Sequence, residues 1–284
     1  MSAPRARVAQ RRGRTARSRP RTRLPDRLRR CLRVLRRAPP SVRLAAGLAA
    51  VVLVAFAANG LYQLVRKPTE LFFPVSGALY KTPAETWRDY GALFRRYSTG
   101  SIPPELLAAL AQVEASGNPL ARTYWRWSWG LRPLEVYRPA SSAVGMYQIT
   151  DATFAEARHY CVHEHRLVRE GRWDDWRSCW LNALYFRVVP AHAVELTAAY
   201  LDLEVGEILA AEDLPRASRA QRRHLAAVVH LCGAGAAQAY ARRGFAFSAG
   251  ERCGDHDPRA YLARVDAMQA VFARLAADGA AEYH

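Results

Sequence analysis

Acidic residues are nearly absent from the start of the chain. Of the 25 aspartates and glutamates in 284 residues, only Asp26 falls within residues 1–43. That stretch has 16 arginines and no lysine, so its net charge is 16 − 1 = +15. The remaining residues have 42 − 16 = 26 basic and 25 − 1 = 24 acidic side chains. Large apolar residues are also scarce in residues 1–43, so we predict a disordered tail in front of a nearly neutral body.

The tail has two interpretations. It can bind nucleic acid or anionic lipid on the cytoplasmic face, or it can serve only as a topology signal. Because any polycation shows salt-sensitive binding to nucleic acid, such binding would not define a function. We favour the topology signal, and the neutral body argues against nucleic acid as the partner of the protein.

Charged residues are missing altogether from residues 44–65. At about 1.5 Å per residue, a helix of this length spans roughly 30 Å of hydrocarbon. The arginine excess before the run, against Arg66 and Lys67 after it, favours a cytoplasmic N-terminus. We predict a single transmembrane helix that anchors a periplasmic domain to the inner membrane. The alternatives are a buried core helix and a cleaved signal peptide, for which Ala55-Phe56-Ala57 has the small-x-small form. The 43-residue segment before the run is long for a signal peptide and favours the uncleaved anchor.

Cysteines are few, with five in the chain. Cys31 belongs to the predicted cytoplasmic tail, and the other four allow three disulfide pairings in an oxidising compartment. The shortest loops give Cys161–Cys179 and Cys232–Cys253. A zinc site is the alternative, because Cys161-Val-His163-Glu-His165, Cys179 and Asp255-His256-Asp257 supply ligand types. Export favours disulfides with surface histidines, so we predict no metal and no other cofactor.

Sustained period-two alternation is also missing, so we predict a mainly α domain without a convincing strand. Residues 66–100 are interpreted as a connector containing a helix that begins at Thr82 and Pro83, and residues 101–284 as the main domain. The first helix of that domain has Ser101 as its expected cap and ends before Gly117. Its buried stripe consists of Leu106, Leu107, Leu110 and Val113. Later helices are predicted over residues 151–163, 176–188, 191–201, 215–231 and 258–277.

Glu114 lies in the last turn of that first helix, beside the apolar stripe. Partial desolvation and the negative end of the helix dipole both favour the protonated carboxyl. A protonated carboxyl near neutral pH can give a proton to a leaving oxygen. Position alone, however, describes an ordinary surface glutamate equally well.

Three sequence blocks surround this glutamate in a recognisable order: Gln112-Val-Glu-Ala-Ser-Gly-Asn-Pro119, Gly145-Met-Tyr-Gln-Ile149, and Pro190-Ala-His-Ala-Val-Glu-Leu-Thr-Ala-Ala-Tyr-Leu201. They resemble the Glu-Ser-x-x-Asn-Pro, Gly-Leu-Met-Gln-Ile and Pro-x-x-Asn-Ile-x-x-Gly-x-x-Tyr-Leu segments of the soluble lytic transglycosylase (SLT) family. The resemblance covers about residues 101–244. It implies a lysozyme-like domain that acts on peptidoglycan glycan strands, with Ser116, Met146, Tyr147 and Gln148 at the substrate.

The resemblance also implies a mechanism. Glu114 would protonate the oxygen that links N-acetylmuramic acid to N-acetylglucosamine, and would then act as base while the muramoyl 6-hydroxyl attacks C1. A 1,6-anhydro ring forms and no water is consumed, so a second carboxylate is not required. Asp151 follows the second block closely, but we interpret it as a helix cap. A muramidase that uses water is the alternative chemistry.

Some positions depart from the family pattern. Ala115 stands for the usual Ser, Ala193 and Thr197 stand for Asn and Gly, and Val229-His230-Leu231-Cys232-Gly233 replaces Ala-Tyr-Asn-Ala-Gly. His230 either lines the cleft in place of the Tyr or packs in the core. The departures support a second hypothesis, a non-catalytic peptidoglycan-binding or scaffold protein of an envelope complex.

An aromatic-rich insertion, Tyr124-Trp-Arg-Trp-Ser-Trp-Gly130 with Tyr137, separates the first two blocks. Amphipathic rings stack well on sugar faces, so Tyr124 and Trp125 are candidate substrate-binding residues. Packing in the core, or as a lid under the connector, is the alternative, and both remain open.

Overall fold

The computed structural model describes residues 34–130, 132–175 and 178–281. The predicted tail, residues 1–43, is therefore described only from residue 34 onward. Cys31 lies outside the described residues. The described residues divide into two units between Phe56 and Ala57. The helix Pro40–Arg66 (α1) begins in the first unit and ends in the second.

In the first unit the apolar side chains of α1 are exposed, with Leu48 60%, Val51 67% and Leu53 69% accessible. This exposure gives no support to the core-helix alternative. By length and composition α1 is able to cross a membrane, and a signal sequence meets the same criteria. The choice between anchor and signal sequence remains a prediction.

The second unit is mainly helical, as predicted. Short helical turns at Pro68–Phe72, Phe73–Ser76 and Gly77–Leu79 lead to seven longer helices among the described residues: Pro83–Tyr97 (α2), Pro104–Ala115 (α3), Asp151–Ala157 (α4), Pro190–Ala211 (α5), Arg219–Cys232 (α6), Ala234–Arg242 (α7) and Pro258–Ala281 (α8). Two further 3-10 turns cover Pro133–Glu135 and Cys179–Leu184. The described residues also contain two antiparallel strand pairs, Trp125–Trp127 (β1) with Tyr137–Pro139 (β2) and Tyr160–His163 (β3) with Arg166–Arg169 (β4).

Helix α3 lies at the centre of the domain. Leu106, Leu107 and Leu110 are fully buried, as the apolar stripe predicts. The alanines at positions 108, 109 and 111 are also fully buried, so the helix is covered around its whole circumference and not along one face. Helices α2, α5 and α8 pack against it.

Helix α2 begins where the sequence predicted. Thr82 caps the helix, Pro83 occupies its first turn, and Thr82 and Glu85 form a reciprocal capping box. The predicted Ser101 cap of α3 is wrong, because Pro103 holds the cap position without a side-chain bond. The Thr99 hydroxyl accepts the Ile102 N–H at 3.1 Å, and this bond keeps the preceding residues in a loop.

Two predicted helices are wrong for a shared reason. Residues 151–163 form α4 only as far as Ala157 and then strand β3, and residues 179–184 form a 3-10 turn. The Val162 N–H donates to the buried carboxylate of Glu195 at 3.1 Å, and the Asn182 amide donates to the Tyr160 carbonyl at 2.7 Å. These partners are distant in sequence, so periodicity around residue 160 does not reveal the strand.

Two disulfides join Cys161 to Cys179 and Cys232 to Cys253, the pairing with the shortest loops. Neither Cys161 nor Cys179 is therefore a free thiolate ligand. Across the residues that the structure describes, no three His, Cys, Asp or Glu side chains are grouped to hold a metal ion.

Candidate active site

Glu114 is the penultimate residue of α3, and a tight backbone turn follows it. Ser116 and Gly117 have φ values of 48° and 64°, and the Gly117 N–H bonds to the Ala111 carbonyl at 3.0 Å. A Cβ on Gly117 would lie 2.3 Å from the Thr86 hydroxyl of α2. Glycine is therefore required here both by backbone conformation and by packing. The turn fixes Glu114 at the end of a rigid helix.

Hydrogen bonds of a buried asparagine hold the residues after the turn. Asn118 is fully buried, and its amide donates to the Ser76 carbonyl at 2.7 Å while its Oδ1 accepts the Leu120 N–H at 2.9 Å. Ser116, a predicted substrate-binding residue, is partly exposed in the left-handed cap, and its carbonyl accepts the Lys81 N–H at 2.8 Å. Ser116 therefore lies at the mouth of the site, two positions from Glu114.

Two side chains from distant parts of the chain meet the Glu114 carboxyl. The Tyr261 hydroxyl of α8 donates to Oε1 at 2.6 Å, and His230 Nε2 of α6 lies 3.7 Å from the same oxygen. The Glu114 side chain stays 19% exposed. One carboxyl oxygen is thus held by the protein. Tyr261 was not predicted, because it lies outside the three blocks and 147 positions from Glu114.

Burial shifts the pKa values of both neighbours of Glu114, Tyr261 and His230. It raises the pKa of Tyr261 well above its ordinary value, and the nearby Glu114 charge raises that pKa further. Tyr261 therefore remains a hydrogen-bond donor. Burial lowers the pKa of His230, although the Glu114 charge and a hydrogen bond to the Tyr147 backbone oppose the shift. His230 therefore favours the neutral imidazole.

The second block forms a tight loop beside this pair. Gly145 has φ 81°, and a Cβ there would lie 2.4 Å from the Arg187 carbonyl. Gln148 has φ 50°, and its amide donates back to the Gly145 carbonyl at 2.9 Å. The predicted substrate-binding residues Met146 and Tyr147 are fully buried. Their role at the substrate stays a prediction, and the Tyr147 ring meets the His230 ring edge-on with 6.5 Å between the centroids.

A cavity of about 260 Å³ opens next to His230. Its lining includes the polar residues Tyr147, Gln148, Thr153, Thr197 and Tyr200. Among the described residues, the buried hydroxyls of Tyr147 and Thr197 have no hydrogen-bond partner. A buried hydroxyl without a partner is costly unless water or a ligand satisfies it. The cavity is therefore suited to a polar ligand group.

The remaining candidate residues lie elsewhere. Trp125 donates from its indole nitrogen to Glu70 at 2.9 Å and packs on Tyr137, while Tyr124 is 72% exposed. Their role at the substrate stays a prediction. Asp151 is not the predicted cap, because Thr150 caps α4, and Asp151 forms an ion pair with Arg187 at 2.7 Å.

The Cys232–Cys253 disulfide reinforces the Glu114 cluster. Cys232 is the last residue of α6, two positions after His230, and Cys253 precedes α8, which carries Tyr261. The crosslink thus joins the ends of the two elements that hold the carboxyl.

Comparison with known proteins identifies the domain. The family model described as "Transglycosylase SLT domain" matches residues 92–171, which include Glu114 and the Gly145–Ile149 loop. This match confirms the suspected family and the lysozyme-like, mainly α fold class. No curated protein matches the chain in sequence.

Proposed function

Because the chain carries a transglycosylase SLT domain, a domain type that cleaves peptidoglycan glycan strands, we propose that it is a membrane-anchored lytic transglycosylase. It cleaves the β-1,4 bond between N-acetylmuramic acid and N-acetylglucosamine. The observation that carries the proposal is the Glu114 carboxyl, 19% exposed at a rigid helix end, with its Oε1 held by Tyr261.

In the first step, protonated Glu114 gives its proton to the glycosidic oxygen as the bond from C1 to that oxygen breaks. Positive charge develops on the muramoyl ring, and the Tyr261 hydroxyl stabilises the new carboxylate through its bond to Oε1. Because burial lowers the pKa of His230, its neutral imidazole places no positive charge 3.7 Å from Glu114 Oε1.

In the second step, the Glu114 carboxylate takes the proton of the muramoyl 6-hydroxyl while that oxygen bonds to C1. The product is a 1,6-anhydro sugar, and Glu114 is protonated again. Because the nucleophile belongs to the substrate, no second carboxylate is needed. Asp151 is engaged by Arg187 at 2.7 Å, so it does not serve as a base for water.

The proposed location is supported by α1 and by the disulfides. The proposed inner-membrane anchor over residues 44–65 leaves the N-terminus in the cytoplasm and the SLT domain in the periplasm. The two disulfides in the second unit suit that oxidising compartment. Flotation of the full chain with vesicles tests the anchor, because a cleaved signal sequence would release the domain.

The test of the reaction uses the full chain in detergent with purified peptidoglycan, and mass spectrometry of the released fragments. Anhydro-muramoyl products are expected. Reducing-end muramic acid would instead identify a muramidase. Glu114→Gln should lower the rate about 10²- to 10⁴-fold, whereas Glu105→Gln in the first turn of α3 should retain it. Full turnover in the Glu114 variant would mean that another residue is the acid.

A second candidate function is peptidoglycan binding without cleavage, as part of an envelope complex. It is favoured by the partly buried His230-Leu231 segment at the place where the family pattern has Tyr-Asn. Sedimentation of the protein with intact sacculi, without release of soluble fragments, would support it over catalysis.

A further inference from the structure

The hairpin formed by β1, β2 and their connection (residues 125–139, of which 131 is not described) has two chemically different faces. Trp125, Trp127 and Tyr137 share one face, with ring centroids 5.2 and 4.9 Å apart. Trp129 continues this face by stacking on Trp127 at 5.9 Å. Trp129 is 89% exposed and Trp127 is 51% exposed. The opposite face pairs Arg126 directly with Arg138. The active site does not account for either face.

The outer end of α1 holds this hairpin. The Asn59 and Gln63 amides, each 4% exposed, both donate to the Leu134 carbonyl at 2.8 Å. Asn59 Oδ1 accepts the Tyr137 N–H at 3.1 Å. Asn59 and Gln63 are four residues apart, so they lie on one face of the helix. These bonds hold the hairpin along the C-terminal end of α1. Its tip, residues 128–130 and 132–136, lies at the level of Asn59.

The other end of the hairpin is fixed where the apolar run stops. Lys67 Nζ donates to the Ser141 and Ala143 carbonyls at 3.2 and 3.0 Å. Glu70 accepts from Arg122 at 3.1 Å and from the Trp125 indole at 2.9 Å. Trp125 therefore lies at the level of Glu70, and the tip lies further back along α1 towards its N-terminus.

Helix geometry relates this arrangement to a bilayer. The seven residues from Asn59 to Arg66 correspond to roughly 10 Å along the helix axis. If Arg66 and Lys67 lie among the lipid headgroups, Asn59 lies at the boundary with the hydrocarbon. That boundary is where Trp and Tyr rings concentrate in membrane proteins. The tip therefore brings Trp127 and Trp129 to that depth.

The arginine face of the hairpin lies at the level of Arg66 and Lys67. Arg126 and Arg138 line a cavity of about 240 Å³ together with Gln63, Arg66, Lys67 and the ion pair of Arg187 with Asp151, so cations outnumber the one carboxylate in the lining. Like charges directly across a strand pair repel each other. Glu135 pairs with Arg138 at 3.3 Å, while Arg126 has no acidic partner among the described residues. A phosphate group would relieve this excess of positive charge.

We propose that the hairpin is a second membrane contact, with the Trp127 and Trp129 rings in the interface and an anionic phospholipid headgroup in the Arg126–Arg138 cavity. The proposal rests on the membrane anchor proposed above. The contact joins the SLT domain to the bilayer at a point besides the helix, so the glycan within reach is the layer next to the membrane.

Brominated lipids test the aromatic part. The full chain is reconstituted in vesicles that contain phosphatidylcholine brominated near the headgroup end of its chains, and tryptophan fluorescence is recorded. Quenching is expected, and Trp127→Phe/Trp129→Phe should abolish most of it. Trp127 and Trp129 are two of the seven tryptophans, so the lipid should quench at most roughly a quarter of the total emission. Trp173→Phe, which removes another exposed ring, is the matched control and should leave quenching unchanged.

The cationic part is tested with brominated phosphatidylglycerol at the same mole fraction as brominated phosphatidylcholine. The anionic lipid should quench more strongly, and each arginine lost from Arg126→Gln/Arg138→Gln should weaken that preference roughly fivefold. Arg216→Gln/Arg219→Gln removes two exposed arginines elsewhere and should retain the preference. Equal quenching by both lipids would refute the headgroup site.

The outcomes separate this proposal from the one it rests on. Failure of the chain to float with vesicles would refute the anchor and the hairpin contact together. Flotation without quenching of Trp127 and Trp129 would leave the anchor standing and refute the hairpin contact. If soluble glycan fragments shift the emission of these rings and lipid does not, the hairpin is a glycan platform and the proposal is wrong.

Discussion

The hydrogen bond from Tyr261 to Glu114 permits a sharp prediction. In Tyr261→Phe the ring remains, and only the hydroxyl that lies 2.6 Å from Oε1 is lost. A hydrogen bond to a charged group contributes about 1.5–3 kcal/mol. If the full amount acts on the carboxylate formed after proton donation, the rate should fall roughly 10- to 150-fold.

The same substitution should leave the protein folded and change substrate binding little. Tyr261 is 2% exposed, so no solvent replaces its hydroxyl in the variant. Glu114 Oε1 then lacks its hydrogen-bond donor in a partly buried site. A loss of stability of about 2 kcal/mol would lower Tm by roughly 4–8 °C for a domain of this size. The protein stays folded in an assay at room temperature. KM should change little, because the bond holds the acid and not the sugar.

The assay follows release of anhydro-muropeptides from saturating peptidoglycan by chromatography and mass spectrometry, with circular dichroism as the check on folding. Tyr240→Phe is the matched control, since Tyr240 is buried to a similar degree, 3% exposed, on a different helix. A loss of less than about twofold in a folded Tyr261→Phe protein would refute the reasoning. An equal loss in the control would also refute it.

Three further predictions concern the surroundings of Glu114. Gly145→Ala should destabilise the loop and strongly reduce activity, because its Cβ would lie 2.4 Å from the Arg187 carbonyl at φ 81°; thermal melting and fragment release measure this. Burial lowers the pKa of His230, so its contribution to stability is present above the ordinary value of 6.5 and is lost as pH falls through the lowered pKa. Urea unfolding at about pH 7.5 and about pH 5.5 should therefore differ less in His230→Gln than in the parent. Cys232→Ser/Cys253→Ser opens a loop whose ends are 21 positions apart and should cost about 3 kcal/mol of unfolding free energy, with loss of activity.

Each of these predictions has a control. Gly235→Ala has open space around its Cβ and should melt like the parent. His224→Gln removes a half-buried histidine from the same helix as His230, 2.9 Å from an Asp266 oxygen, and serves as the control for loss of an imidazole. Cys161→Ser/Cys179→Ser should cost similar stability with less effect on activity. An unchanged melting curve for Gly145→Ala, or equal pH dependence in both histidine variants, would contradict the explanation.

Part of this fold is encoded locally and could be predicted. The uncharged run of α1, the Thr82 capping box and the Gly117 turn each depend on residues within a few positions of one another. Neighbours in sequence determine these features, because helix periodicity, capping and turn conformation are short-range interactions. The cysteine pairing spans 18 and 21 positions and followed instead from the choice of the shortest loops.

Strand β3 and the Ser101 cap show where local patterns failed. Residues 160–163 were predicted to be helical, but their backbone is held by Glu195 and Asn182. Pro103, and not Ser101, holds the cap of α3, because Thr99 binds the Ile102 N–H. Tertiary partners overrode a modest local preference in both places.

The sequence alone determined that the chain has an apolar helix, a mainly α domain and a glutamate at a helix end within three ordered blocks. Only the tertiary structure brought Tyr261 to Glu114 across 147 positions, placed neutral His230 beside the same oxygen, and fixed the aromatic hairpin to Asn59 and Gln63. These contacts arise from how helices pack and where loops return. A single sequence carries no periodic signal for them, because packing joins residues whose spacing along the chain is arbitrary.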